Sequence, residues 1–197
     1  SISNHPLGGI DGILLMQLVL DRRSDYKIIA NFLLQRIRPL RSYIMAVNPF
    51  EQHRDAKSSV IGFKQALLHL KEGKPLGVFP AGEVSTYKED KLLVDKPWEE
   101  AVIKLIRRAE VPVIPIYFHG RNSRFFYRLS KISPSLRTAK LPSELYSQRR
   151  RPIIVRIGVP VSVSAQKEAE SLEQYTELLR RKTYLLSNVY QKGRLFD

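Results

Sequence analysis

Cysteine is absent from this 197-residue chain. Its absence excludes a disulfide scaffold, a thiolate metal site and a cysteine nucleophile, and it is compatible with a reducing cytosol without fixing the compartment. A membrane-spanning run is also missing. The longest apolar stretch, Gly12 to Leu20, is interrupted by Gln17 and stopped by Asp21-Arg22-Arg23, well short of the ~20 residues that cross a bilayer. The chain has no internal repeat, no low-complexity stretch, no G-x-S-x-G elbow, no Walker loop, no G-x-G-x-x-G and no H-E-x-x-H. It therefore offers none of the usual serine-hydrolase, nucleotide or zinc-protease signatures. It opens Ser1-Ile2-Ser3-Asn4 without an initiator Met, a cationic segment or a cleavage pattern, so the expectation is one domain over 1–197 that lacks an upstream N-terminal segment.

Negative charge is scarce. Against 33 Lys+Arg stand 19 Asp+Glu, a net charge of +14, and such an excess attracts polyanions: nucleic acid, an anionic membrane surface or an acidic carrier protein. Basic clusters occur at Arg36/Arg38/Arg41, Arg121/Arg124/Arg128 and Arg149 to Arg151, and each by itself reads as a solvated face. The sequence pI of about 10.1 invites a nucleic-acid binder. No helix-turn-helix, RRM, KH or zinc signature accompanies it, and the aromatic residues fall mainly at core-like positions instead of forming a stacking platform.

Alternating helices and strands organise the rest. Gly8-Gly9 followed by Ile13 to Leu20 reads as a turn opening into a buried helix, and Lys27 to Ile37 continues as a second helical segment. Tyr43 to Val47 and Leu76 to Phe79 read as short buried strands. Val60, Phe63, Leu67 and Leu70 recur at helical spacing between a Ser58 or Ser59 cap and a Gly73 stop. Trp98, Ala101, Val102, Leu105, Ile106 and Ala109 form an amphipathic stripe. Val113 to Phe118 and Ile153 to Ile157 give two more strands, and Glu168 to Tyr190 a closing helix. The fold class is α/β, with a mostly parallel central sheet flanked by helices and ligands expected beyond the carboxyl ends of the strands.

Two segments carry candidate chemistry. Ser3-Asn4-His5-Pro6-Leu7-Gly8-Gly9-Ile10-Asp11-Gly12 combines an imidazole, a carboxylate and three glycines. His5 suits a general base, with Asp11 accepting the Nδ1 proton, and Gly8 and Gly9 permit a tight turn and a close substrate approach. The other reading of the same residues is an ordinary loop with Asp11 capping the following helix. Phe79-Pro80-Ala81-Gly82-Glu83-Val84-Ser85 is a strand followed by a Gly turn, whose amides can hold an anion and whose Glu83 can bind a hydroxyl or an ammonium; its other reading is a plain turn with a surface Glu. His53, His69 and His119 are scattered and read as structural, and no metal site is expected.

Taken in order, Asn4-His5 to Asp11, Phe79 to Ser85 and Val111-Pro112-Val113-Ile114-Pro115 resemble three of the four sequence blocks of the glycerolipid (lysophospholipid/glycerol-3-phosphate) acyltransferase superfamily. The likeness runs from Ser3 to about Val161. It is to the bacterial branch that goes under the hemolysin name and includes acyltransferases of ornithine and glycine lipids. Two departures stand out. The family's first block has four residues between His and Asp, whereas this chain has five, Pro6 to Ile10. Its third block reads F-P-E-G-T-R-S, where this chain has Ala81 for the Glu, Glu83 two positions later and Val84 for the Arg. Loss of that Arg points away from a phosphate-bearing acceptor and toward an amino-acid lipid.

The resemblance implies a glycerol-3-phosphate acyltransferase-like fold and direct acyl transfer from an acyl carrier protein or coenzyme A thioester, as co-substrate and without a further cofactor, to the hydroxyl or amine of a lipid acceptor. By that resemblance His5 is the base and Asp11 its orienter. Glu83, Gly82, Ser85, Gly8 and Gly9 contribute to substrate binding, as does Arg54, matched loosely with Phe50 to the second block. Arg121, Arg124, Arg128 and Arg149 to Arg151 are candidates for contact with an acidic carrier protein. The expected location is peripheral, on the cytoplasmic face of the bacterial inner membrane. The alternative reading is a catalytically idle lipid-binding protein on the same fold.

Overall fold

The computed structural model describes residues 1–47, 56–87, 93–130, 140, 143–144, 146 and 152–191. Strand β1 (Ile2–Ser3) leads into helix α1 (Gly9–Leu20). There follow β2 (Lys27–Asn31), two short 3-10 segments (Phe32–Arg36 and Arg38–Tyr43), β3 (Ile44–Val47) and α2 (Ala56–Lys71). Next come β4 (Leu76–Gly77), a hairpin of β5 (Thr86–Tyr87) and β6 (Leu93–Val94), and α3 (Glu100–Ala109). Then β7 (Pro115–His119), α4 (Arg124–Ser130), β8 (Ile154–Ile157), α5 (Val163–Lys167) and α6 (Leu172–Gln191) complete the order.

β2 pairs in parallel with β3 on one side and β4 on the other, and β1 pairs in parallel with β7. A parallel bridge between Ile2 and Val78 joins the two groups, giving the order β3-β2-β4-β1-β7-β8. Within this sheet, among the described residues, only β8 runs against its neighbour. The architecture is the α/β one expected from sequence, with an antiparallel edge strand added.

Lys27–Asn31 corrects one expectation: it is a central strand, and only the 3-10 turns after it are helical in character. Ile28 and Ile29 are both buried but belong to different clusters. Ile29 packs with Trp98, Ile103, Tyr175 and Leu179, and Ile28 packs with Leu15, Met16, Tyr26 and Phe118. Adjacent side chains buried on opposite sides satisfy a strand covered on both faces, whereas on a helix they would share roughly one side. The clusters also assign the layers. Helices α2, α3 and α6 cover one face, and α1 with the second 3-10 segment, through Leu40 and Tyr43, covers the other.

Candidate active site

The site is built where β1 ends and α1 begins. Asn4 is buried and extends the β1–β7 ladder with its side chain: its amide donates to the Phe118 carbonyl at 3.0 Å, and its carbonyl accepts the Phe118 N–H at 2.8 Å. That clamp fixes the chain one residue before His5. Gly8 then takes φ 76° and ψ −128°, a conformation open essentially to glycine, and the chain turns back so that α1 starts at Gly9.

Asp11 is the third residue of α1 and has no exposed surface. Its Oδ2 accepts the N–H of Leu7 at 2.8 Å and of Gly8 at 3.1 Å, while its own N–H donates to the Gly8 carbonyl at 3.0 Å. This is the reciprocal arrangement of a helix cap. The same Oδ2 lies 3.2 Å from His5 Nδ1. The two readings of this segment therefore describe one carboxylate, which caps α1 and faces the imidazole. At this distance Nδ1 makes no hydrogen bond of good geometry to Oδ2, and Asp11 Oδ1 is buried without a donor. Burial pushes the Asp11 carboxyl above the usual carboxylate range, opposed by the His5 contact and the Leu7 and Gly8 amides. The imidazole leans on the Phe79 ring, centroids 4.3 Å apart, and its side chain is 16% exposed.

The second candidate segment lies beside the first. Ser85 donates its N–H to the His5 carbonyl at 2.9 Å, and its hydroxyl donates to Asp95 Oδ1 at 2.5 Å. Asp95 also accepts the His5 N–H at 3.2 Å. Gly82, at φ 66°, closes a turn by donating its N–H to the Phe79 carbonyl at 2.9 Å. Glu83 is more exposed and forms an ion pair of 2.7 Å with Lys96. Val84 is buried against Phe126 and Tyr127. Gly9, the first residue of α1, keeps an N–H that no intrahelical carbonyl can accept. Arg54 and Arg149 to Arg151 lie outside the described residues, as do Phe50 and His53. Arg124 and Arg128 are exposed on α4. His69 is buried with its Nε2 at 3.1 Å from the Pro75 carbonyl.

A cleft of about 300 Å³ is lined by Asn4 and Pro6, the residues flanking His5, together with Ser85, Tyr117, His119, Arg121 and Tyr184. Burial pushes the Tyr117 and Tyr184 hydroxyls up, so both stay phenolic, and lowers His119, which is neutral near pH 7. Asn122 donates to the Pro6 carbonyl at 3.3 Å and ties the Arg121 loop to the residue after His5.

Asp95 is the functional-site residue that sequence reasoning missed. The available signal was the hairpin register. Thr86 pairs with Val94 and Tyr87 with Leu93, which places Ser85 and Asp95 opposite each other one step further along. Tyr184, whose hydroxyl accepts the Asp95 N–H at 3.2 Å, comes from α6 and carries no local motif.

A buried carboxylate against a partly exposed imidazole, on a segment whose flanking residues line the cleft, is an arrangement able to serve as a general base. Residues 1–193 match the family described as Acyltransferase. The chain belongs to this acyltransferase family. It is 29% identical over 195 residues, covering 94% of this chain and 68% of the relative, to a lyso-glycine lipid O-acyltransferase of Bacteroides thetaiotaomicron. It is 26% identical over 194 residues, covering 94% of this chain and 67% of the relative, to a protein of the same name from Phocaeicola vulgatus. The chain is thus an acyltransferase, and the likeness carried by Asn4-His5 to Asp11, Phe79 to Ser85 and Val111 to Pro115 leads to the same family.

Proposed function

We propose that this acyltransferase moves a fatty acyl group from an acyl carrier protein or coenzyme A thioester to the hydroxyl of a lyso-amino-acid lipid, of the lyso-glycine type that its relatives' names carry. The observation behind the reading is the 3.2 Å approach of His5 Nδ1 to the fully buried Asp11 carboxylate. Asp11 holds the proton side of the ring, leaving Nε2 to take the acceptor's hydroxyl proton. The acceptor oxygen then forms a bond to the thioester carbonyl carbon. As the tetrahedral intermediate collapses, the carbon–sulfur bond breaks and the imidazolium returns its proton to the departing sulfur. The buried carboxylate stabilises the imidazolium while it lasts.

Among the amides of Gly8, Gly9 and Gly82, one is left for the developing oxyanion. Gly8 N–H is committed to Asp11 and Gly82 N–H to Phe79, which favours Gly9 N–H at the positive head of α1. Glu83 stands close enough in sequence to Ser85 and the site loop to position the acceptor. The buried Val84, in place of the superfamily's arginine, supports an acceptor without phosphate. The enzyme acts peripherally at the cytoplasmic face of the bacterial inner membrane, where acceptor and anionic lipid meet its +14 charge.

Transfer of labelled palmitate from acyl carrier protein to a lyso-glycine lipid tests the reading with the parent protein beside His5→Ala and Asp11→Asn. The expected result is a labelled product from the parent, reduced about 10²- to 10⁴-fold by His5→Ala. Equal transfer by all three proteins would assign His5 and Asp11 to structure alone, and the absence of product from a folded parent would remove this acceptor.

A further inference from the structure

Helix α1 differs from the other helices in being apolar on nearly every side, with no charged residue from Gly12 to Leu20. Its inner side chains, Leu15 and Met16, are buried, yet Ile13 and Leu18 are 39% and 45% exposed. Single exposed apolar residues are ordinary. Their setting here is not. The second 3-10 segment packs on the same core cluster through Leu40 and Tyr43, so it lies on the same face of the sheet as α1. Around it Arg36, Ile37, Arg38 and Arg41 are all exposed, with Ile37 at 47%.

From Tyr26 to Phe50 the chain holds Lys27 and these three arginines and no acidic residue. Among the described residues no carboxylate pairs with Arg36, Arg38 or Arg41. Two acids lie at the far end of α1: Asp25 is held by Arg23 at 3.0 Å, and Asp21, the exposed C-cap residue, is followed directly by Arg22 and Arg23. This face therefore combines exposed apolar side chains on a helix uncharged from Gly12 to Leu20 with guanidinium groups that no described carboxylate pairs, the composition that settles into the interface of an anionic bilayer.

We propose that α1 and the Arg36–Arg41 segment form the surface by which the enzyme docks on an anionic membrane, with Ile13, Leu18 and Ile37 entering the headgroup boundary and the arginines meeting lipid phosphates. The inference rests on the proposed reaction only for its purpose: Asp11 belongs to the head of α1, so a bilayer lying against that helix runs alongside His5 and delivers the acceptor to it. An acidic carrier protein shares the charge complementarity but does not call for exposed apolar residues on a helix uncharged from Gly12 to Leu20, and the bilayer is the occupant these observations favour.

Co-sedimentation with vesicles of phosphatidylcholine, alone or mixed with phosphatidylglycerol, tests the surface without requiring turnover, so the docking surface and the proposed reaction can fail independently. The parent is expected to bind the mixed vesicles, to bind phosphatidylcholine weakly, and to be released by salt. Arg36→Glu/Arg38→Glu/Arg41→Glu is expected to lose on the order of a hundredfold or more in partitioning, from about fivefold per basic residue at the surface. Leu18→Ser/Ile37→Ser weakens binding by a salt-independent factor. The control Lys64→Glu/Lys71→Glu/Arg108→Glu makes the same charge change on α2 and α3, across the sheet, and is expected to retain binding. Thermal melts check that each variant folds, and transfer to detergent-dispersed acceptor is expected to be unchanged in all of them. The proposal is overturned if the parent ignores anionic vesicles, or if control and face variants lose binding equally. It is also overturned if the face variant binds vesicles normally but shows a raised KM for acyl carrier protein, which would hand the face to the carrier.

Discussion

The amide of His5 is held by Asp95, a residue 90 positions away in the chain, through a 3.2 Å hydrogen bond to Oδ1 that the Ser85 hydroxyl shares at 2.5 Å. The imidazole is thus located by two carboxylates with different duties: Asp11 faces the ring, and Asp95 fixes the main chain that carries it. Asp95→Ala strips the acceptor from two donors in a buried setting, at about 1–3 kcal/mol for each group left unsatisfied. The expected outcome is a lowered Tm together with a fall in kcat larger than any rise in KM. Asp95→Asn keeps an oxygen for the same donors and is expected to recover most of both. An Asp95→Ala enzyme with unchanged kcat at a temperature where it is folded would show that the tether does not position His5.

Ser85 separates two roles in the same way. Its hydroxyl is spent on Asp95, so Ser85→Ala is expected to cost about 1 kcal/mol of stability and to leave the KM for the acceptor near that of the parent. An unchanged Tm with a clearly raised KM would instead assign the hydroxyl to substrate.

What could be read from the sequence follows the range of the interactions involved. The His5 to Asp11 contact lies within one turn and its helix, and the residue types with their glycines were enough to mark it as a candidate beside the plain-loop reading. The helices with a clean apolar stripe, such as Glu100–Ala109, were legible for the same local reason. Lys27–Asn31 was not, because a short run of Ile28, Ile29 and Ala30 fits a buried helix as well as a strand sheathed on both faces. The ladders from β3 and β4 decide the matter, and they are non-local. Asp95 was invisible because its meaning depends on a hairpin register and on a chain end 90 residues away. The antiparallel placement of β8 against β7 depends on a long connection and had no local signature.

Asp11 makes stability depend on pH in a definite direction. Its folded-state pKa is raised above 3.8, so the native state binds this proton more tightly than the unfolded chain does, and this group's contribution to stability falls as pH rises through the window between 3.8 and the folded value. Asp11→Asn removes the titration while preserving an oxygen to accept from Leu7 or Gly8. Chemical denaturation across that window is expected to find the variant gaining stability relative to the parent as pH increases. Its transfer activity stays low throughout, because a neutral amide cannot stabilise the imidazolium. A stability difference that is flat with pH would mean that Asp11 does not carry this shift.

The two adjacent glycines should respond in opposite ways. Gly8, at φ 76° and ψ −128°, holds the turn that presents its own N–H to Asp11. Gly8→Ala is therefore expected to cost about 1–3 kcal/mol in strain and to lower activity by disturbing the carboxylate. Gly9 is helical with no atom within 4 Å of a would-be Cβ, and Gly9→Ala is expected to leave stability unchanged or to raise it by up to about 1 kcal/mol. Paired melting curves and transfer rates check both. Equal losses from the two substitutions would place the strain elsewhere.

Val84 bears on acceptor choice. It occupies the place where the superfamily's third block carries an arginine, and its side chain is buried with Phe126, Tyr127 and Leu93. Restoring the arginine here would not restore a phosphate site, since a guanidinium built at this position enters an apolar cluster without a partner. Val84→Arg is expected to destabilise the protein by roughly 3 kcal/mol or more, with no gain of transfer to lysophosphatidate. Val84→Thr, close to isosteric, is expected to remain folded and to keep the parent's acceptor preference. Were Val84→Arg to fold with the parent's Tm and acylate lysophosphatidate, the turn after β4 would have to open outward. The acceptor's identity would then depend on this one side chain instead of on the cleft lined by Asn4, Pro6 and Ser85.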